Sequence, residues 1–362
     1  MINVTKTFLP PVEEYQAYVR SIFQRSWLTN NGPLLNELEE KLKEYLSVQN
    51  LLFLSNGTVA IQIAIKAFEL SGEIITTPFS YVATTSSIVW EQCKPIFVDI
   101  NPFSLNIDYL KIEEAINERT SAILATHVFG NPCNVEKIQR IADKYGLKVI
   151  YDAAHCFGTI YKGKSIFEYG NVSTTSFHAT KLFHTGEGGA VFTNNPEILR
   201  KMSLLRNFGH TSPVSFDGIG INAKNSELHA AMGICVLKYM DEIQEKRKTQ
   251  WDYYKNKLSN LEVNFIEITE GTDNYNSSYF PIIFKTEKCL LNAVGLFNSK
   301  NIFPRRYFYP SLNTVNYVDS QQCPISESIS KRILCLPLYH DLSLKEQDMI
   351  CEILYTNQNE LL

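Results

Sequence analysis

VIYDAAHCFG at residues 149–158 and STTSFHATKLFHTGEGGA at residues 173–190 are the two runs from which the fold can be read. Each begins as a short apolar or β-branched strand and then breaks into polar residues. The first delivers Asp152 and His155 at the end of its strand. The second delivers Ser176, His178 and Lys181 ahead of a Thr-Gly-Glu-Gly-Gly turn. Polar groups that recur just past strands are the pattern of an open α/β sheet, which holds ligands at the carboxyl ends of its strands.

The flanking sequence repeats the pattern. Strand-like runs stand at 51–55, 73–77, 95–99 and 121–126 on one side and at 189–193 on the other. Helical spacing of apolar residues marks 12–27, 34–46, 108–119 and 135–145. Strands alternating with helices predict a mainly parallel sheet covered on both faces. Residues 225–258 contain no proline and no turn cluster, which predicts one long helix leading from a large domain (1–240, with an N-terminal arm) to a smaller α+β domain (241–362). In the latter, VNFIEI (263–268) and YFPIIF (279–284) read as strands, and 290–299 and 345–355 as helices.

The 362 residues are 44% apolar and 20% charged, with a formal net charge of −4. That balance suits a soluble globular protein and lacks the basic face of a nucleic-acid binder. No run approaches the roughly 18 apolar residues of a spanning helix, and the first residues, MINVTKTFLPP, lack the apolar core of a signal peptide. Eight scattered cysteines without a CxxC pair read as reduced thiols, so a cytoplasmic protein is expected. His178, His184 and Glu187 match no metal-ligand spacing, and no metal is expected.

An acid and an amine that each follow a strand are the two groups needed to hold and use pyridoxal 5'-phosphate (PLP). A carboxylate at Asp152 can keep a pyridine nitrogen protonated, which makes the ring an electron sink. A partly buried Lys181 has a depressed pKa, so its neutral amine can attack the aldehyde and later carry protons. Asn56-Gly57-Thr58 lies between a buried strand and a helix, where free N–H groups bind anions or where Asn56 or Thr58 simply caps the helix. Ser176 can add a hydroxyl to a phosphate site. Tyr81, in the loop after EIITTPFS, can stack on a ring or pack as a half-buried aromatic.

In order, SNGT (55–58), TTPFSYVATTSS (76–87), PIFVDI (95–100), VIYDAAH (149–155), SFHATK (176–181), GEGGAVFTN (186–194) and GINAKNSELHAAMG (220–233) resemble the DegT/DnrJ/EryC1/StrS family of nucleotide-sugar aminotransferases. The resemblance implies the aspartate-aminotransferase-like fold (PLP fold type I). It implies that Lys181 forms the Schiff base with PLP, that Asp152 pairs with the ring nitrogen and that His155 lies near the ring oxygen. Gly57, Thr58 and Ser176 would bind the phosphate, and Tyr81 would stack on the ring. It further implies a homodimer with shared sites, in which Asn222 reaches the partner's phosphate. The arginine usual two residues later is Lys224 here, and Asn313 stands where histidine is frequent. A lysine at 181 sets the chain apart from the family's dehydratases, which carry histidine there.

The implied reaction moves an amino group from L-glutamate to a keto sugar carried on a nucleotide. His178 and the Thr185–Gly189 turn resemble the branch acting on 4-keto sugars, with a dTDP-linked 6-deoxyglucose as the expected substrate and O-antigen lipopolysaccharide as the destination. Other readings are a 3-keto sugar aminotransferase, a GDP-sugar enzyme of the perosamine type, or a PLP-free binding or regulatory paralogue.

Overall fold

The structure, a computed structural model, describes residues 1–357. It is an α/β protein built on a seven-stranded sheet. Strands β2 (Leu51–Leu54), β3 (Glu73–Thr76), β4 (Lys94–Phe97), β5 (Thr120–Thr126) and β6 (Lys148–Asp152) are followed by a small hairpin, β7 (Ile160–Tyr161) and β8 (Lys164–Ser165). β9 (Val172–Ser176) and β10 (Gly189–Phe192) complete the sheet. Their order is β2-β10-β9-β6-β5-β3-β4, and only β10 runs against its neighbours.

Both faces of this sheet are covered, so its strands read as near-continuous apolar runs. Ile75, Ile123, Val149, Tyr151 and Phe53 pack on one side. Their neighbours Ile74, Ala122, Leu124, Ile150 and Leu54 pack on the other, against α3 (Gly57–Ala67). The first two helices, α1 (Val12–Arg25) and α2 (Pro33–Leu46), lie against the helix Glu227–Leu237. Buried Glu227 accepts the N–H groups of Leu34 and Leu35 at 2.9 and 2.8 Å, closing the open end of α2.

A second core gathers Trp251, Tyr254, Phe280, Ile282, Phe297, Leu334 and Leu336. Ile2 joins it, because β1 (Ile2–Asn3) pairs in parallel with Ile302–Phe303. The helix Met240–Lys257 contributes Met240 and Ile243 to the first core and Trp251 and Tyr254 to the second.

Three sequence expectations are corrected. The single helix over 225–258 is two helices, Glu227–Leu237 and Met240–Lys257, broken at Lys238–Tyr239. The region 108–119 forms only a 3-10 turn, Tyr109–Lys111, and one α-turn, Ile112–Ala115. It stops there because Asn117 takes its own bonds, its N–H to Thr120 Oγ1 and its side chain to Glu73. VNFIEI is not a strand: Asn264 makes an isolated bridge to Ile283, and by Glu267 the N–H is bonded to Phe103 in the first half of the chain.

Candidate active site

The carboxyl ends of the parallel strands converge on one cavity of about 290 Å³. Register does the gathering: Thr126 on β5 lies beside Asp152 on β6, Asp152 beside Thr174 on β9, and Ser176 beside Gly189 on β10. Gly189 in turn faces Leu54, the last residue of β2, from which the chain enters α3. Of the eight residues assigned to the cofactor from the sequence, seven line this cavity: Gly57, Thr58, Tyr81, Asp152, His155, Ser176 and Lys181. Asn222 does not. It is exposed, and its side-chain oxygen accepts from Lys224 Nζ at 2.8 Å, with the Lys224 ammonium over the Phe208 ring.

At one end of the cavity is the start of α3. Asn56 supplies the cap, accepting from the Val59 N–H at 2.8 Å. The first N–H groups of the helix, at Gly57 and Thr58, therefore have no intrahelical partner and are available to an anion. Glycine is required at two positions here. A Cβ on residue 57 would lie 2.8 Å from Ser176 Cβ, and one on residue 189 would lie 2.5 Å from the Asn56 carbonyl. The close approach brings the Ser176 hydroxyl to the helix end.

At the other end is Asp152, buried at the tip of β6. Its Oδ1 accepts from the Ala154 N–H at 3.1 Å and its Oδ2 from the Thr84 hydroxyl at 2.6 Å. Burial raises the pKa of this carboxyl, and these hydrogen bonds oppose the rise. His155 lies against a group of aromatic rings, parallel to Phe308 at 5.8 Å and to Phe129 at 6.3 Å, which are themselves stacked at 5.7 Å, and Tyr279 packs on it at 4.6 Å. Burial pulls its pKa well below the usual imidazole range, so it is neutral. Its Nδ1 is buried with no partner among the described residues.

Lys181 follows β9 in a tight loop, its N–H bonded to the His178 carbonyl at 2.8 Å. Burial lowers the ammonium pKa from 10.5 to about 8, although the Asp152 charge pulls it back up. At pH 7 about one tenth of the amine is therefore unprotonated. At the rim, His178 Nε2 lies 3.6 Å from Glu187 Oε1, and its Nδ1 lies 2.8 Å from the Thr180 hydroxyl. Tyr81 stands at the start of α4 (Val82–Trp90), about half exposed above the cavity.

The structure adds residues that sequence reasoning missed. Ser80, Thr126, Thr174 and Thr175 line the cavity as hydroxyls, and Tyr279, Arg305, Tyr307 and Phe308 reach it from the last third of the chain. The hydroxyls carried one signal: Thr84, Thr85 and Ser87 are buried in α4, where an ordinary core helix would carry apolar residues. Asn313 is buried away from the cavity, donating to Gln321 O and Glu327 Oε1 at 2.7 Å each.

The profile of the DegT/DnrJ/EryC1/StrS aminotransferase family matches residues 11–355. The chain belongs to this family. Among the relatives of this aminotransferase, the dTDP-4-amino-4,6-dideoxy-D-glucose transaminase of Shigella dysenteriae is 43% identical over 349 residues, which cover 94% of this chain and 95% of the relative. The solved structure of DesI in the presence of its TDP-sugar product superimposes with a TM-score of 0.93 at 26% identity, covering 99% of this chain and 93% of that one. The structure of ntda from Bacillus subtilis with bound cofactor PMP superimposes with a TM-score of 0.88 at 28% identity, covering 96% of this chain and 82% of that one.

The aminotransferase is therefore PLP-dependent and has the fold expected from the sequence. Its cavity fits the cofactor on its own terms: a helix end with free N–H groups, a cradle that only glycine leaves open, a buried carboxylate, and an amine of depressed pKa. Among the described residues no helix is long and apolar enough to cross a membrane.

The lysine pKa gives a direct test. Uptake of PLP by the apoprotein should speed up about ninefold from pH 7 to pH 9 and then level off, as the neutral fraction of Lys181 rises from about one tenth to about nine tenths. Stopped-flow absorbance across that range measures it. A rate that keeps climbing beyond pH 10 would mean an ordinary, solvated lysine.

Proposed function

We propose that this aminotransferase transfers the amino group of L-glutamate to C-4 of dTDP-4-dehydro-6-deoxy-D-glucose, giving dTDP-4-amino-4,6-dideoxy-D-glucose. The observation that carries the reaction class is the single cavity that holds both Lys181 and Asp152 at adjoining strand ends. The choice of sugar rests on the 43% identity, over nearly the full length of both chains, to the Shigella dysenteriae transaminase.

When bound, PLP supplies a conjugated, electron-withdrawing ring that stabilises negative charge on the carbon losing or gaining a proton. The residues of the chain do the rest. Gly57 and Thr58 N–H groups, with the Thr58 and Ser176 hydroxyls, would hold the phosphate. Asp152 would hold a proton on the ring nitrogen. Tyr81 would lie against the ring, and the neutral His155 would offer an N–H or a lone pair near it. The Lys181 amine would hold the cofactor's aldehyde group and carry the proton of the transfer. A pKa of about 8 suits this shuttle, because donor and acceptor forms are both populated near neutral pH.

The same reading includes a homodimer in which Asn222, exposed and outside its own cavity, serves the partner's phosphate site beside Lys224. It also places the enzyme in the cytoplasm, supplying an amino sugar for O-antigen lipopolysaccharide. Incubation with L-glutamate and, side by side, dTDP- and GDP-linked 4-keto-6-deoxy sugars tests the substrate. NMR of the product should show nitrogen on C-4 of the dTDP sugar. An amine on C-3, or turnover of the GDP sugar alone, would sink the assignment.

A further inference from the structure

We propose that Thr126, Ser80 and Thr84 form a one-way chain of hydroxyl hydrogen bonds that keeps Asp152 ionised and aimed into the cavity, with Thr84 as a positioning residue for the reaction. The inference rests on the cofactor reading above and adds to it a second layer of residues.

The contacts are Thr126 Oγ1 to Ser80 Oγ at 3.0 Å, Ser80 Oγ to Thr84 Oγ1 at 2.7 Å, and Thr84 Oγ1 to Asp152 Oδ2 at 2.6 Å. All four side chains are buried. Each hydroxyl has one proton to give, and an ionised carboxylate can only accept. Thr84 must therefore donate to Asp152, Ser80 must donate to Thr84, and Thr126 must donate to Ser80. Every proton in the chain points toward the carboxylate, and hydrogen bonds aligned in this way strengthen one another in a low-dielectric site.

Local helix chemistry does not account for this arrangement. A serine or threonine inside a helix usually bonds back to the carbonyl one turn earlier. Ser86, two residues on in the same helix, does so, donating to Val82 O at 2.9 Å. Thr84 instead sends its proton across to β6, 68 residues away in sequence. Three separate elements are needed to build the chain: the end of β5, the loop after β3 and the first turn of α4. Burial alone would drive the Asp152 carboxyl toward its neutral form, and the hydrogen bond from Thr84 opposes this more strongly than any other contact. Removing that donor would make Asp152 the stronger base, so the shared proton would move from the ring nitrogen onto the carboxylate.

The test loads wild type, Thr84→Val, Thr84→Ser and Ser80→Ala with PLP labelled with ¹⁵N in the ring. Wild type should give a pyridinium nitrogen signal. Thr84→Val should shift it toward neutral pyridine, weaken PLP binding about tenfold, and lower kcat about tenfold with KM for the nucleotide sugar unchanged. Thr84→Ser should restore all three. Ser80→Ala, which keeps the last donor but removes its support, should move the signal the same way with about a threefold loss in PLP affinity. A folded Thr84→Val with wild-type nitrogen signal and affinity overturns the proposal. If that variant does not fold, an unchanged signal in Ser80→Ala overturns it. A wild-type protein that takes up no PLP would instead overturn the cofactor reading itself.

Discussion

Lys181→Ala should retain the fold yet lose transamination by roughly 10⁴-fold or more, since it removes both the covalent anchor and the proton carrier. Its absorbance band near roughly 410–430 nm, expected of a lysine-bound PLP, should be missing even with excess cofactor. The stability change should run the other way. In the folded apoprotein the ammonium has a pKa of about 8 against 10.5 when solvated, so charging it opposes folding. That penalty, no more than about 3 kcal/mol, is complete below pH 8 and fades between pH 8 and 10.5. Apo Lys181→Ala should therefore unfold at a temperature no lower than apo wild type at pH 7, with any advantage shrinking as pH rises. Calorimetry of the two apoproteins at pH 7 and pH 10 measures this. A destabilised alanine variant would show that the lysine serves the fold.

Asp152→Asn should produce the second large loss, about 10²–10³-fold in kcat, because charge develops on the ring during proton transfer and the pre-set counter-charge is gone. The amide keeps the size of the side chain and its one oxygen can still accept from Thr84, while the bond from the Ala154 N–H, which needs the second oxygen, is lost. An amide can also donate to the ring nitrogen, which favours an unprotonated pyridine. PLP should still enter and still reach Lys181, so the absorbance band should survive while catalysis falls. Single-turnover kinetics with L-glutamate separate the two. An asparagine variant with near wild-type turnover would remove Asp152 from the chemistry.

Much of this was legible because parallel strands display their chemistry at one end. VIYD ends at Asp152 in the sequence reading and in the structure alike, since a buried apolar run followed by a carboxylate leaves little choice of strand end. Lys181 was legible for a similar reason, five residues past β9 and before a glycine turn. What was not legible came from contacts between distant segments. The break at Lys238–Tyr239 has no glycine or proline to announce it. It falls between two helices that both pack on the first core, Ile234 and Val236 before it and Met240 and Ile243 after it, and only the later turns of the second helix reach the second core.

The cavity wall follows the same logic. YFPIIF reads as a strand, and Phe280–Ile283 is one, but nothing in that run says that Tyr279 packs on His155. Phe308, parallel to the same imidazole, is 153 residues from it in sequence, the difference of their numbers. Ser80, Thr84 and Thr126 share no spacing with Asp152, because α4 and two strands bring them together only in the fold. Residues that act on other side chains leave a weaker trace in sequence than residues that act directly.

The most direct test of Lys181 as the cofactor's anchor is chemical. Wild-type protein loaded with PLP is reduced with borohydride, digested, and its peptides weighed by mass spectrometry. One modified peptide is expected, carrying the reduced cofactor on Lys181, and none when Lys181 is alanine. A cofactor fixed on any other lysine, or on none, would contradict that role.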